Sequence, residues 1–242
     1  MMRTFVFSAL LSLVAGVAQA APIPCASVSQ CNEEGTAAYQ AGRFEEAVEA
    51  FERQLRRVAQ DDSAARELAL NNLVVANLRL GRPGMARAWL NLAVADGLQG
   101  PATRHNLRSL AEAVDYPALE AGIEGHYLRY AGSAAWSSLD ISRAADGGYR
   151  VHFSPIRAGA KVEEYGPAAI GDLQGRLQGE RTYFLLQDAG LASGCAVELF
   201  NEGLDIRVLE VFDPQCQRYG GAGISVAGNY LKVSAEPQGD ER

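Results

Sequence analysis

Any chemistry this chain performs must come from a small set of side chains. The three histidines stand at positions 105, 126 and 152, without the i, i+4 spacing that turns two imidazoles toward one metal ion. His152 alternates with Val151 and Phe153, so it reads as solvent-facing rather than as a catalytic base. Ser137, Ser138 and Ser193 lack a Gly-x-Ser-x-Gly elbow and a local partner. Glu163 and Glu164 are adjacent; neighbouring strand residues point to opposite faces, which makes them a charged edge or loop rather than an acid–base pair. The glycine-rich run at residues 220–223 is not followed by Lys-Ser/Thr and cannot be a phosphate loop. No nucleophile, base and orienting group fall together. The chain therefore reads as non-enzymatic, with no metal and no cofactor expected.

The four cysteines carry structural information instead. Arg3, the apolar run at residues 5–17 and the triplet Ala18-Gln19-Ala20 form a secretory signal peptide cut after Ala20. The run is too short to cross a ~30 Å hydrocarbon core. In an exported chain four cysteines make two disulfides, and sequence proximity favours Cys25–Cys31 and Cys195–Cys216. Loop-closure entropy assigns them about 2 and about 3 kcal/mol. Zinc would need a second nearby ligand pair, which Cys25 and Cys31 lack. Cleavage removes one arginine and moves the net charge from −7 to −8, so nucleic acid is disfavoured as a partner. The basic residues are nearly all arginine, with lysine only at positions 161 and 232. That bias, beside abundant Ala and Gly, fits a GC-rich bacterial genome and a periplasmic or extracellular destination.

Two kinds of element must position whatever the protein presents. Residues 32–118 have helical periodicity. Asn32 is placed to cap a first helix running to Ala41, and a second runs from Phe44 to about Ala59 with Ala47, Val48, Phe51 and Leu55 on one face. Asp61-Asp62-Ser63 caps a third, apolar around most of its circumference, which sandwiches it between neighbours. Gly81-Arg82 repeats the Gly42-Arg43 turn. Pro83 opens a fourth helix and Pro101 a fifth. Beyond a short helix or linker at residues 115–123, the pattern becomes alternating runs separated by Gly, Asp and Asn: about eight strands, as in a small barrel or sandwich. The strand at residues 182–187 is apolar at both phases, which calls for cover on both faces. The hairpin turn Asn201-Glu202-Gly203 places Gly where φ must be positive. After Val208 the apolar phase slips to Leu209 and Val211, which predicts a β-bulge there. The expected layout is a signal peptide at 1–20, a disulfide-closed loop at 21–31, a helical domain at 32–118, an all-β domain at 124–236 and a flexible tail at 237–242. The fold class is α+β.

Aligned on Gly42 and Gly81, the two helical units resemble tetratricopeptide repeats. Gly35, Ala38, Gly42, Phe44, Ala47 and Phe51 carry the first unit; Asn72-Leu73, Gly81, Ala86, Leu90 and Ala93 carry the second. Pro83 stands where the pattern has an aromatic, and Arg104-His105-Asn106-Leu107 opens a third unit that serves as a capping helix. The resemblance implies a groove lined by the first helix of each unit, for binding another protein. It would use Asn32, Thr36, Tyr39 and Gln40, then Asn71, Val75, Leu78 and Arg79, with His105, Ser109 and Glu112 from the cap. Cys195, Asp213, Cys216, the run at 220–223 and Gly228-Asn229-Tyr230-Leu231-Lys232 resemble a domain of exported bacterial proteins. Periplasmic lysozyme inhibitors are small β-barrels of similar size; their Ser-Gly-x-x-Tyr loop has only Ser193-Gly194-Cys195 as a counterpart here. The expected function is a non-enzymatic scaffold or assembly factor of the bacterial envelope, binding another envelope or secreted protein. The alternative is an inhibitor or immunity-type protein acting through the β half.

Overall fold

The computed structural model describes residues 25–159, 161–211 and 213–238. The expected signal peptide and its cleavage site lie outside them, as do residues 239–242 of the expected tail. The fold is α+β, with helices first and a closed antiparallel barrel after them.

Helices α1 (Val28–Gln40) and α2 (Phe44–Arg57) form one hairpin, and α3 (Ser63–Arg79) and α4 (Pro83–Ala95) a second. Each turns at a glycine with positive φ, 74° at Gly42 and 68° at Gly81, a conformation other residues resist. Gly35 lets the first pair close: a Cβ there would lie 2.4 Å from the Phe51 ring. Helix α3 buries Leu70, Leu73, Val74 and Ala76 completely, as its all-round apolar sequence requires. Helix α5 (Pro101–Ala113) packs on α3 and α4, and the short α6 (Tyr116–Glu120) leads into the barrel. Helix α1 starts ahead of Asn32, because the Ser27 side chain accepts from the backbone N–H of Gln30 and caps it there. The Cys25–Cys31 disulfide therefore closes over the first turn of a helix.

The strands are β1 (Gly125–Gly132), β2 (Ala135–Arg143), β3 (Tyr149–Ser154) and β4 (Ile156–Arg157). After helix α7 (Val162–Tyr165) come β5 (Ala169–Ile170), β6 (Leu173–Glu180), β7 (Tyr183–Gln187), β8 (Val197–Asn201), β9 (Asp205–Glu210) and β10 (Gly228–Ser234). The barrel closes in the order β1-β10-β9-β8-β7-β6-β3-β2, while β4 and β5 form a separate ribbon. Its interior is lined by alternate residues such as Leu139, Ile141, Phe153, Phe184, Leu199, Val208 and Tyr230. The Cys195–Cys216 disulfide forms as expected.

Strands β5 and β6 are separated at Gly171, whose N–H donates to the Pro155 carbonyl. Two local expectations need correction. Glu163 and Glu164 sit in α7 rather than on a strand. There is no bulge at Val208-Leu209, since β8 and β9 pair without interruption from Val197↔Glu210 to Asn201↔Ile206. Glu210 holds the inward phase that the slip seemed to deny. Its carboxylate accepts from the Tyr219 hydroxyl and the side chain of Gln217, so its polar atoms are satisfied without a change of register.

The barrel rests on the second helices. A Cβ on Gly84 of α4 would lie 1.9 Å from the Val233 carbonyl oxygen of β10, so only glycine lets the strand sit this close. Trp89 of α4 is fully buried, and its ring lies edge-on to Trp136, with 4.8 Å between centroids. Arg87 donates to the Lys232 carbonyl and to Asp205. Arg56 and Arg57 at the end of α2 both hold Glu163, at 2.7 and 2.9 Å. Lys232 plugs the near end of the barrel: its ammonium donates to the Leu119 and Gly122 carbonyls at 2.8 and 2.6 Å. Burial pushes its pKa below the usual lysine range, against the pull of Glu124.

Candidate functional site

With α2 and α4 under the barrel, the face presented by α1 and α3 remains uncovered among the described residues. Its centre is a depression of about 160 Å³ lined by Thr36 and Tyr39 of α1, Phe51 of α2, and Asn72 and Val75 of α3. The floor and walls are mostly apolar and the rims polar. On one side Asn72 donates to the Asn32 side chain at 2.9 Å. On the other, Arg79 Nε donates to the Tyr39 hydroxyl at 3.0 Å. That bond favours the charged guanidinium and raises its pKa further. Tyr39 is itself braced edge-on by Phe44, with 5.3 Å between centroids. Helical geometry places Leu68, Asn72, Val75 and Arg79 on one stripe of α3, and Leu68 is 48 % exposed.

The residues expected in a groove divide into two groups. Asn32, Thr36, Tyr39, Val75 and Arg79 come together around the depression, and Gln40 lies exposed at the end of α1. Asn71 faces inward. It is 4 % exposed, donates to Thr103 at 2.9 Å and accepts from Asn106 at 2.7 Å, while Thr103 and the Gly100 N–H both donate to Glu67. This polar chain stitches α5 to α3, because buried amides need partners. Leu78 packs half-buried against the helical core. His105 is exposed on α5, where the Ser109 hydroxyl donates to its carbonyl at 3.4 Å; neither residue lines the depression, nor does Glu112, exposed further along α5. Asn72 and Phe51 belong to the site without having been expected there. Asn72 is one step, about 100° of helix, from Asn71, and the stripe through Leu68 and Val75 is the signal that selects it.

Elsewhere the histidines are paired with carboxylates, His126 with Asp140 at 2.9 Å and His152 with Asp172 at 3.0 Å. His152 is thus partly shielded rather than simply solvent-facing. Ser137 is fully buried and is used by the Ile156 N–H and Arg129. Among the described residues no cluster of three or more metal-ligating groups forms, and no helix is long and apolar enough to cross a membrane. Comparison of the chain with protein-family models, with curated proteins and with solved structures finds no match.

Proposed function

We propose that the chain is a non-enzymatic protein-interaction module of the bacterial envelope, built on two tetratricopeptide-like hairpins and acting through the α1/α3 face. The observation that carries this reading is the placement of the barrel on α4 and the end of α2. It leaves an apolar notch with polar rims, sized for one aliphatic side chain of a partner segment, on the opposite helices. Two disulfides fit an oxidising, non-cytoplasmic compartment; with the sequence of residues 1–20 they support the periplasm or the exterior. The acidic chain favours a protein partner over nucleic acid. The test is affinity capture from envelope extracts with the parent protein and with Val75→Glu and Arg79→Ala. Both substitutions should remove the same captured proteins while leaving thermal unfolding intact; unchanged capture would sink the reading.

A second reading, inhibition of a secreted enzyme by the β half, is favoured by one feature. The excursion between β4 and β6 exposes Tyr165 at 77 % and Ile170 at 67 %, yet it is braced by Glu163 on α2 and by a hydrogen bond from Arg157 to the Ala222 carbonyl. Capture that survives the groove substitutions but is lost with Tyr165→Ala would favour this second reading.

A further inference from the structure

The two disulfides sit in opposite surroundings. Cys25 and Cys31 are both completely buried over the first turn of α1. In Cys195–Cys216 only one partner is covered: Cys216 is 8 % exposed, while Cys195 is half-buried beside the exposed Ala192, Ser193 and Gly194. The crosslink joins the connection after β7 to the connection after β9, and both leave the same end of the barrel. Cys195 follows a turn in which Gly194 has a φ of 85° and the Cys195 N–H donates to the Ala192 carbonyl at 3.0 Å. Cys195 lines one cleft of about 210 Å³ and Cys216 another of about 420 Å³, with Ala189, Gly190 and Leu191 as the wall common to both. Arg218 shares the second cleft with Cys216 and carries no ion pair among the described residues. The nearby acids are engaged elsewhere: Asp213 accepts from the Gln215 N–H at 2.7 Å, and Asp172 is held by His152 and Gln174.

We propose that Cys195–Cys216 is a thiol–disulfide exchange site, open to a dithiol reductant at Cys195, while Cys25–Cys31 is an inert structural bond. An incoming thiolate must reach a sulfur, and Cys195 is the one cysteine of the four that is not buried. Attack there forms a bond from the reductant's sulfur to Cys195 Sγ and breaks the Cys195–Cys216 bond, whose electron pair leaves on Cys216 Sγ. The positive charge of Arg218 in the same cleft favours that departing thiolate. The reductant's second thiol then attacks the reductant's own sulfur in the mixed disulfide and releases Cys195 as a thiolate. The dithiol has become a disulfide, two electrons have passed to the protein, and the two cysteine thiolates take up the two protons the dithiol gave. The release is local. Tyr219 stays held, with its hydroxyl on Glu210 and its carbonyl accepting from the Asp172 N–H at 2.8 Å, so the freed segments are the wall at 189–195 and the stretch at 213–218.

The test adds dithiothreitol, a small dithiol, to the purified full chain under native conditions, then alkylates free thiols and locates them by peptide mass spectrometry. Cys195 and Cys216 should be labelled about tenfold or more faster than Cys25 and Cys31. A monothiol probe, 2-mercaptoethanol, should leave its mixed disulfide on Cys195 and the free thiol on Cys216. Arg218→Gln should slow exchange severalfold with thermal unfolding unchanged, and Arg218→Lys should restore the rate. On reduction, amide hydrogen exchange should rise at 189–195 and 213–218 while β7, β8 and β9 keep their protection. Equal labelling of all four cysteines, labelling only as fast as the whole chain unfolds, a mixed disulfide on Cys216, or rates indifferent to Arg218 would overturn the proposal.

Discussion

The two faces of the helical layer are made from the same hairpin unit and end in opposite conditions. On the second-helix face, α4 begins Pro83-Gly84 where α2 begins Phe44-Glu45. The missing side chain at Gly84 is what lets the β10 backbone sit against the helix. On the first-helix face, Asn32 pairs with Asn72 and Tyr39 with Arg79, and Leu68 stays exposed. The Pro83-Gly84 start of α4, where α2 has Phe44-Glu45, is therefore what admits the barrel. One face is closed by volume given up; the other is held open by polar pairs that satisfy each other.

The sharpest way to break this contrast is Trp89→Ala. The ring is fully buried between α4 and the barrel, so its loss should cost about 3–5 kcal/mol, read as a large fall in unfolding midpoint. Gly84→Ala comes next, at about 1–3 kcal/mol, or more because the obstructing atom is backbone. Calorimetry should show a single transition for the parent and separate helical and barrel transitions for the variant.

A smaller effect concerns Glu52 on α2, beside Arg56 at the covered face. Desolvation raises its pKa from 4.5 to about 7, against the opposing pull of Arg56. A raised carboxyl contributes its stability below about pH 4.5 and has lost it above about pH 7. The parent should thus lose on the order of 1 kcal/mol across that window relative to Glu52→Gln, after allowance for partial exposure, as measured by denaturant titration at both ends. Glu163 works in the opposite sense: its hydrogen bond from Arg57 is the main cause holding its pKa down, so its contribution is lost as the medium turns acid. The smallest effect belongs to the open face. Arg79→Ala should change stability by within about 0.5 kcal/mol, and a larger loss would mean that this face is a support rather than a surface.

The sequence made the class of the fold legible because its main periods are unambiguous: the apolar runs of α2 and α3, glycines at both hairpin turns, and alternation in β3. The groove was legible to within a helical step. Thr36, Tyr39, Val75 and Arg79 followed from the repeat resemblance, but Asn71 and Asn72 differ only in whether Thr103 and Asn106, some thirty residues on, claim the amide. Long-range partners also explain the other misses. Glu210 keeps its inward place because Tyr219 reaches it. Glu163 is fixed by arginines more than a hundred residues earlier. The docking of Gly84 against Val233 pairs elements that no local pattern connects.

The most direct test of the account is site-specific photocrosslinking in the native envelope, with the probe at Thr36 on the open face and at Met85 on the covered one. The account predicts adducts of higher mass, carrying another protein, from position 36, and from position 85 only crosslinks within the chain to β10. Crosslinking of position 36 to the protein's own barrel, or intermolecular adducts from position 85 alone, would contradict it.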